Sequence, residues 1–388
     1  MVYWVLHKKL SRSDWSNTLE GEPGYFYEQF KNFAFIDITD FSFMAKLENA
    51  LNPIDYEKYD ISAIDTTKYI FVKNKSDFRK LHIASRNTDI FVFQSYQDIR
   101  VIEFSAFLHA MGFTTAIFNH WQMPTVQDLR LKRNGKWFFN ILKIKKKILF
   151  LRFLTKIHRK LCRPKAYFTY ALAGGNNFIK ETQKNCLLET VVPVHSISYD
   201  EFLVIKNSHV PSLIGEPYFV FIDQALTIHP DTRFKADDTE LYKKEILKTF
   251  DYIQKKYKTQ IVIAEHPRIK YPDGFWGNYR CFQGHTPTLL KYCQGILGHY
   301  SSVINLAYLL NISTKIFLTS SSPYFYLDDT IRKVFAFFSG ALIDMATGTE
   351  ITHTDDNVSL KDDFSLCPDE AKRNRAIFYD FLSRYNHD

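Results

Sequence analysis

Two short apolar runs, each cut off by a polar cluster, constrain this chain most. Ile261-Val262-Ile263-Ala264 stops at Glu265-His266-Pro267-Arg268, and Gly295-Ile296-Leu297-Gly298 stops at His299-Tyr300-Ser301-Ser302. Val303, Ile304, Leu306, Ala307, Leu309 and Leu310 then follow in a helical pattern. Runs this short and this apolar fit strands buried on both faces. They lie about thirty residues apart, the spacing of one βαβ unit. Strands related in this way run parallel, so their carboxyl ends share one edge of a sheet, the edge where open α/β sheets bind ligands. Paired serines that open a helix offer hydroxyls and free N–H groups to a phosphate, or simply cap the helix.

The same alternation extends over most of the chain. Strands are expected at Phe33 to Ile38, Tyr69 to Val72, Asp89 to Phe93, Thr114 to Phe118, Ala166 to Ala171 and Glu189 to Val194. A helix from Ile99 to Met111, closed by Gly112, links two of them. Gly174-Gly175-Asn176-Asn177 reads as a turn that either approaches a substrate backbone to backbone or is a plain tight turn. A second series begins at Tyr218 to Ile222, continues through a helix from about Asp238 to Lys256, and ends in a strand at Lys315 to Leu318. Asp237-Asp238 and Asp328-Asp329 read as surface turns, and His285-Thr286-Pro287 as a loop. The tail from Pro368 to Tyr385 reads as a helix with Asp369 and Glu370 in its first turn. The expected fold class is α/β, two doubly wound Rossmann-like domains. Residues 1–205 would form an N-terminal acceptor-binding domain, and residues 206–388 a nucleotide-binding domain that includes the terminal helix. No internal repeat is visible.

Composition excludes several classes. The five cysteines (Cys162, Cys186, Cys281, Cys293, Cys367) include no CxxC pair and no zinc-ligand spacing, which points to reduced thiols. No apolar run reaches the roughly 20 residues of a membrane span. The first ten residues lack the apolar core of a signal peptide. The net charge of +8 is concentrated between residues 130 and 165, where Lys and Arg alternate with Trp137, Phe138, Phe139, Leu149, Phe150, Phe153 and Leu154 and no Asp or Glu intervenes. Such a segment suits an anionic membrane surface, or packs its apolar side on a core and solvates its lysines. The interleaved apolar residues speak against nucleic acid, which needs no such groups. No Walker motif, GxGxxG or convincing metal-binding DxD pair is present, so neither a metal nor a cofactor is expected.

Three strand ends in the second half carry groups suited to chemistry: Asp223 after Phe219-Val220-Phe221-Ile222, His266 after the Ile261 run, and Ser301-Ser302 after the Ile296 run. In this order the set resembles the bacterial sialyltransferases and related nonulosonic-acid transferases of lipopolysaccharide and capsule synthesis. The resemblance covers roughly Pro217 to Leu318, with Phe221-Ile222-Asp223-Gln224 where the family carries an acidic pair followed by Gly. It implies a GT-B glycosyltransferase, two domains facing across a cleft, that uses a CMP-activated sugar. Asp223 would be the general base and His266 would bind or protonate the leaving phosphate. Ser301, Ser302, His299, Arg268 and Lys270 would hold the phosphate, and Glu265 the ribose. Asn119 and His120, at a strand end in the first half, would face the acceptor. The implied partners are a CMP-sugar donor and a glycan or lipid-linked glycan acceptor. The enzyme would sit in the cytoplasm, at the inner face of the bacterial cytoplasmic membrane, through residues 130–165. The rival readings are a UDP-sugar transferase or epimerase of the same form, and a non-catalytic membrane- or polyanion-binding protein. At each candidate position the plain structural role, a cap, a loop hydrogen bond or a surface charge, stays open at sequence level.

Overall fold

The computed structural model describes residues 1–7, 22–41, 65–81, 83, 88–94, 98–119, 165–227, 236–267, 269–299, 301–319, 331, 335, 338, 340–353, 364, 365 and 367–386. All of the basic segment except Lys165 lies outside them, as do His120, Arg268 and Asp328-Asp329.

The described residues form two seven-stranded sheets. The first contains β1 (Val2–Leu6), β2 (Phe33–Asp37), β3 (Tyr69–Phe71), β4 (Ile90–Phe93), β5 (Thr114–Asn119), β6 (Ala166–Gly174) and β7 (Cys186–Val194), in the spatial order β3-β2-β1-β4-β5-β6-β7. Every neighbouring pair is parallel. The second contains β8 (Tyr218–Ile222), β9 (Gln260–Glu265), β10 (Arg280–Gln283), β11 (Gly295–Gly298), β12 (Thr314–Thr319), β13 (Gly340–Asp344) and β14 (Glu350–His353), in the order β10-β9-β8-β11-β12-β13-β14. Only its edge strand β14 is antiparallel. Both sheets therefore wind identically. The chain runs outward from the first strand through the second and third, then returns so that the fourth lies on the other side of the first. This is the doubly wound Rossmann order with one strand added. The expected fold class of two Rossmann-like α/β domains is the observed one, and the repeated winding has no counterpart as a sequence repeat.

Burial explains why these segments are strands. Every residue of β1, β2, β4 and β8 is buried, as befits central strands covered on both faces. The covering helices in the first unit include α1 (Glu22–Gln29), α2 (Lys75–Lys80), α3 (Ile99–Ala110) and α4 (Asn176–Asn185). Those in the second include α5 (Ile197–Asn207), α6 (Ala236–Tyr257), α7 (Thr286–Tyr292) and α8 (Val303–Leu309). Helix α3 is capped by Asp98, whose carboxylate accepts from the Arg100 N–H, and it stops before Gly112, which takes φ +76°. Helix α6 buries Tyr242, Ile246, Phe250 and Ile253 against β8 and β9, one face at the helical period.

Three local expectations are corrected. Asn176-Asn177 opens α4 and is not a free turn, Thr286-Pro287 opens α7 with Pro in its first turn, and Asp237-Asp238 belongs to α6. Pro is tolerated at a helix start because its missing N–H has no intrahelical partner there.

The domain boundaries also differ from expectation. The described residues through Ile197 form one unit, and those from Ser198 to 353 form the other. The described residues from 364 onward, including the terminal helix α9 (Asn374–Ser383), return to the first unit. Their apolar face explains this. Phe378, Phe381 and Leu382 join the cluster of Trp4, Phe26, Phe30 and Phe118, and Phe378 stacks on Phe118 at 4.3 Å between ring centres. A buried polar tie reinforces the packing. Asn374 exchanges two hydrogen bonds with the His195 backbone, both 2.9 Å. The His195 ring bridges the Ser365 hydroxyl (2.6 Å) and the Lys372 carbonyl (2.9 Å). A carbonyl only accepts, so Nε2 carries the proton and Nδ1 accepts from Ser365.

The crossing is tight at Gly174. A Cβ there would lie 2.4 Å from both the His195 carbonyl carbon and the Ser196 nitrogen, which are backbone atoms that cannot swing aside. Gly174→Ala is expected to lower the stability of the first unit by about 2 kcal/mol or more. Chemical denaturation checks this, and an unchanged midpoint would show that the two segments separate freely.

Candidate functional site

In an open α/β sheet the ligand crevice lies at the carboxyl ends of the strands where the winding reverses. In the second sheet the reversal falls between β8 and β11. The residues immediately after these strands are Asp223 and His299, and Glu265-His266 lies at the end of the adjacent β9. Of the expected site residues, Asp223, Glu265, His266 and His299 thus lie on one sheet edge.

Asp223 is only 6% exposed and fully engaged. Oδ1 accepts from the Ala225 N–H at 2.8 Å. Oδ2 accepts from the His266 N–H at 3.3 Å and from the Tyr271 hydroxyl. The first bond closes a turn that holds Ala225 at φ +54°, a left-handed conformation that costs a non-glycine residue energy. The other two tie the loop after β9 to the end of β8. Burial raises the Asp223 carboxyl pKa above its ordinary value, against the pull of the Tyr271 hydroxyl, the two N–H donors and the nearby His266 ring. The Tyr271 hydroxyl is raised in turn, first by burial and then by the Asp223 charge. Tyr271 carried no signal in the sequence that would mark it as Asp223's partner.

His299 does not fit the phosphate-binding role expected for it. It is 3% exposed, and both ring nitrogens are satisfied internally. Nδ1 lies 2.6 Å from the Leu318 carbonyl and therefore donates to it. Nε2 is then an acceptor, and the Tyr242 hydroxyl of α6 donates to it at 2.9 Å. The ring fastens the ends of β11 and β12 to α6. Burial lowers its pKa from 6.5 to about 4. The unfolded chain binds the proton first as pH falls, so this histidine's contribution is complete above pH 6.5 and is lost between 6.5 and about 4. The stability of the second unit should fall through that window by up to about 1.4 kcal/mol per pH unit. His299→Gln should flatten the slope, and denaturation midpoints measured at several pH values test this. An equal slope in both proteins would assign the acid sensitivity elsewhere.

Ser301 and Ser302 sit at the start of α8. The Ser301 hydroxyl accepts from the Val303 N–H at 3.3 Å, whereas Ser302 makes no side-chain cap and is exposed. Behind them Asn305 is fully buried and donates to the Ser198 hydroxyl at 3.3 Å. Glu265 is half-buried as the last residue of β9, and burial is the main cause of its raised pKa, followed by the Asp223 charge. Lys270 is exposed. Gln283, at the end of β10, donates to the carbonyls of His266 (3.0 Å) and Ile269 (2.7 Å), which pins the same loop from its other side. In the first unit Asn119 is the last residue of β5. Among the described residues no cluster of three or more metal-ligating side chains occurs, and no helix is long and apolar enough to cross a membrane.

No protein-family model matches the chain, and no curated protein sequence does. Among solved structures it is similar to the wall teichoic acid polymerase TagF, with 10% identity, a TM-score of 0.39, and 88% of this chain and 76% of that one covered. It is also similar to the glycotransferase of kitacinnamycin, with 10% identity, a TM-score of 0.39 and 90% and 87% covered. A third is S. aureus MnaA with UDP, with 10% identity, a TM-score of 0.36 and 82% and 78% covered. Likeness at this level leaves the fold assignment resting on the strand order itself.

Proposed function

We propose that the second unit binds a nucleotide-activated sugar and that the chain is a glycosyltransferase of GT-B type. The observation that carries this reading is the position of the winding reversal between β8 and β11, at the strand ends that hold Asp223, His266 and Ser301-Ser302. The ordered set of those residues makes a CMP-activated nonulosonic acid the donor of choice. Ser301 and Ser302 would hold the phosphate, and His266 would hold it or protonate it as it leaves. The acceptor hydroxyl attacks the anomeric carbon, the bond from that carbon to the phosphate oxygen breaks, and CMP departs with the electron pair. Asp223 remains the candidate for the acceptor's proton. To take it, Asp223 has to exchange the Tyr271 hydroxyl for the acceptor's, and its raised pKa suits a base.

The test is turnover of CMP-, UDP- and GDP-activated sugars with and without glycan acceptors. CMP release that requires acceptor and falls about 100-fold or more in His266→Ala is the expected result. Acceptor-independent turnover of a UDP-sugar would replace transfer with epimerisation, and no turnover of any donor would count against the enzyme reading.

A further inference from the structure

A cavity of about 410 Å³ lies at the opposite edge of the second sheet, where β8, β11 and β12 begin. Its wall includes Phe219, Tyr257, Gln294, Asn311, Ser313 and Thr314. β8 is five residues long, which at about 3.3 Å per residue sets the cavity roughly 16 Å from the proposed nucleotide crevice. Three features bear on its ligand. First, the charge suits no ion. Helices α6, α7 and α8 end at or beside this wall, at Tyr257, Tyr292 and Leu309, and the negative ends of their dipoles disfavour an anion. Among the described residues no carboxylate lines the cavity, so a cation finds no counter-charge there. The Lys291 ammonium, also at this wall, donates to the Ser208 carbonyl. Second, neutral hydrogen-bonding groups stand open. The Gln294 and Asn311 amides and the Ser313, Thr314 and Tyr257 hydroxyls meet no partner among the described residues. Third, an aromatic surface adjoins them. The Tyr257 and Phe219 rings lie 5.2 Å apart between centres. Gly295 opens β11 between Phe219 and Thr314, where a Cβ would lie 2.9 Å from each side chain, so the ring and the hydroxyl-bearing side chain come close together.

We propose that this cavity binds a neutral saccharide of one or two sugar residues, with the Gln294 and Asn311 amides bonding its hydroxyls and an apolar ring face lying on Tyr257. A wall of amides, hydroxyls and an aromatic ring matches a sugar, which presents hydroxyls at its edge and C–H groups on its face. The volume falls in the ordinary range of small-molecule sites. A ligand here is too far from the switch crevice to be the reacting sugar. It is an anchored portion of a glycan, held at the other end of the sheet. The site goes beyond the nucleotide-sugar reading above and stands or falls separately from it.

The test uses the full chain with glucose, galactose, N-acetylglucosamine, maltose and lactose, and with glucose 6-phosphate as the anionic control. Hydrogen exchange is read by peptide. The expected result is slowed exchange at residues 290–295 and 308–314 with at least one neutral sugar, and none there with glucose 6-phosphate. Gln294→Ala combined with Asn311→Gly should weaken binding of that sugar about tenfold by calorimetry, as loss of two neutral hydrogen bonds does. The denaturation midpoint should stay unchanged. Glycine keeps the φ of +54° that Asn311 adopts, and alanine keeps the N–H that donates to the Tyr218 carbonyl. If no neutral sugar slows exchange at these residues, the proposal falls, and nucleotide binding at the other edge is untouched by that result. Protection confined to residues 223–227 and 265–271 would move the sugar to the switch crevice and overturn the cavity assignment. Undiminished binding by the double variant, or equal protection by glucose 6-phosphate, would also overturn it.

Discussion

Replacing Asp223 by alanine should destabilise the second unit by about 2–4 kcal/mol and remove nucleotide binding with it. The carboxylate accepts from three donors on two segments, the Ala225 and His266 N–H groups and the Tyr271 hydroxyl. Alanine leaves them facing a buried space with no acceptor, and it releases the loop that carries His266. Part of the loss is offset, because the alanine no longer has to bury a charge whose desolvation already raises its pKa. Asp223→Asn should be milder. It retains one oxygen for Ala225, while its amide faces the His266 N–H and forces Tyr271 to turn from donor to acceptor. The pair separates two roles. If Asp223 serves only to position the loop, the asparagine variant should retain most nucleotide affinity. If it is also the base, that variant should bind nucleotide and fail to transfer. Denaturation curves, nucleotide titration and a transfer assay on both variants decide this, and an alanine variant with an unchanged midpoint would show that the carboxylate is not the tie described.

The second large effect lies in the other unit. Phe378→Ala should cost about 3–5 kcal/mol, the range for removing a fully buried Phe. Phe378 is 0% exposed, stacked on Phe118 and packed in the cluster that contains Trp4 and Phe26. The loss should appear in the first unit, although the residue follows the second in sequence. Hydrogen exchange resolved by peptide reads this directly. Faster exchange in β1 and β5 is expected, and faster exchange in β8 to β12 alone would contradict the placement of the terminal helix.

Much of the fold was legible because central parallel strands are short, apolar and bounded by polar groups. Tyr218–Ile222 and Gly295–Gly298 match their apolar runs residue for residue. β1 was missed. Val2–Leu6 is a five-residue run buried on both faces, with no period to distinguish it from any apolar stretch. β10 was missed for the opposite reason. Arg280–Gln283 is an edge strand that buries none of its residues, so it carries no apolar run. The terminal helix was recognised as a helix, but its partner could not be read, because an apolar face does not say which core it completes. The site divides in the same way. Strand ends bearing Asp223, His266 and the serines were visible as breaks in apolar runs. That His299 turns inward, and that Tyr271 and Tyr242 hold the strand ends, depends on hydroxyls arriving from a loop and from α6, which no local pattern announces.

The central claim is that the carboxyl edge of the second sheet is a nucleotide site. The most direct test is a titration of the full chain with CMP, CDP, UMP, UDP and GDP without metal, followed by hydrogen exchange on the tightest binder. Slowed exchange at residues 223–227, 265–271 and 301–305 is predicted, with CMP the tightest. No binding by any of the five, or protection confined to the strand ends of the first sheet, would contradict it.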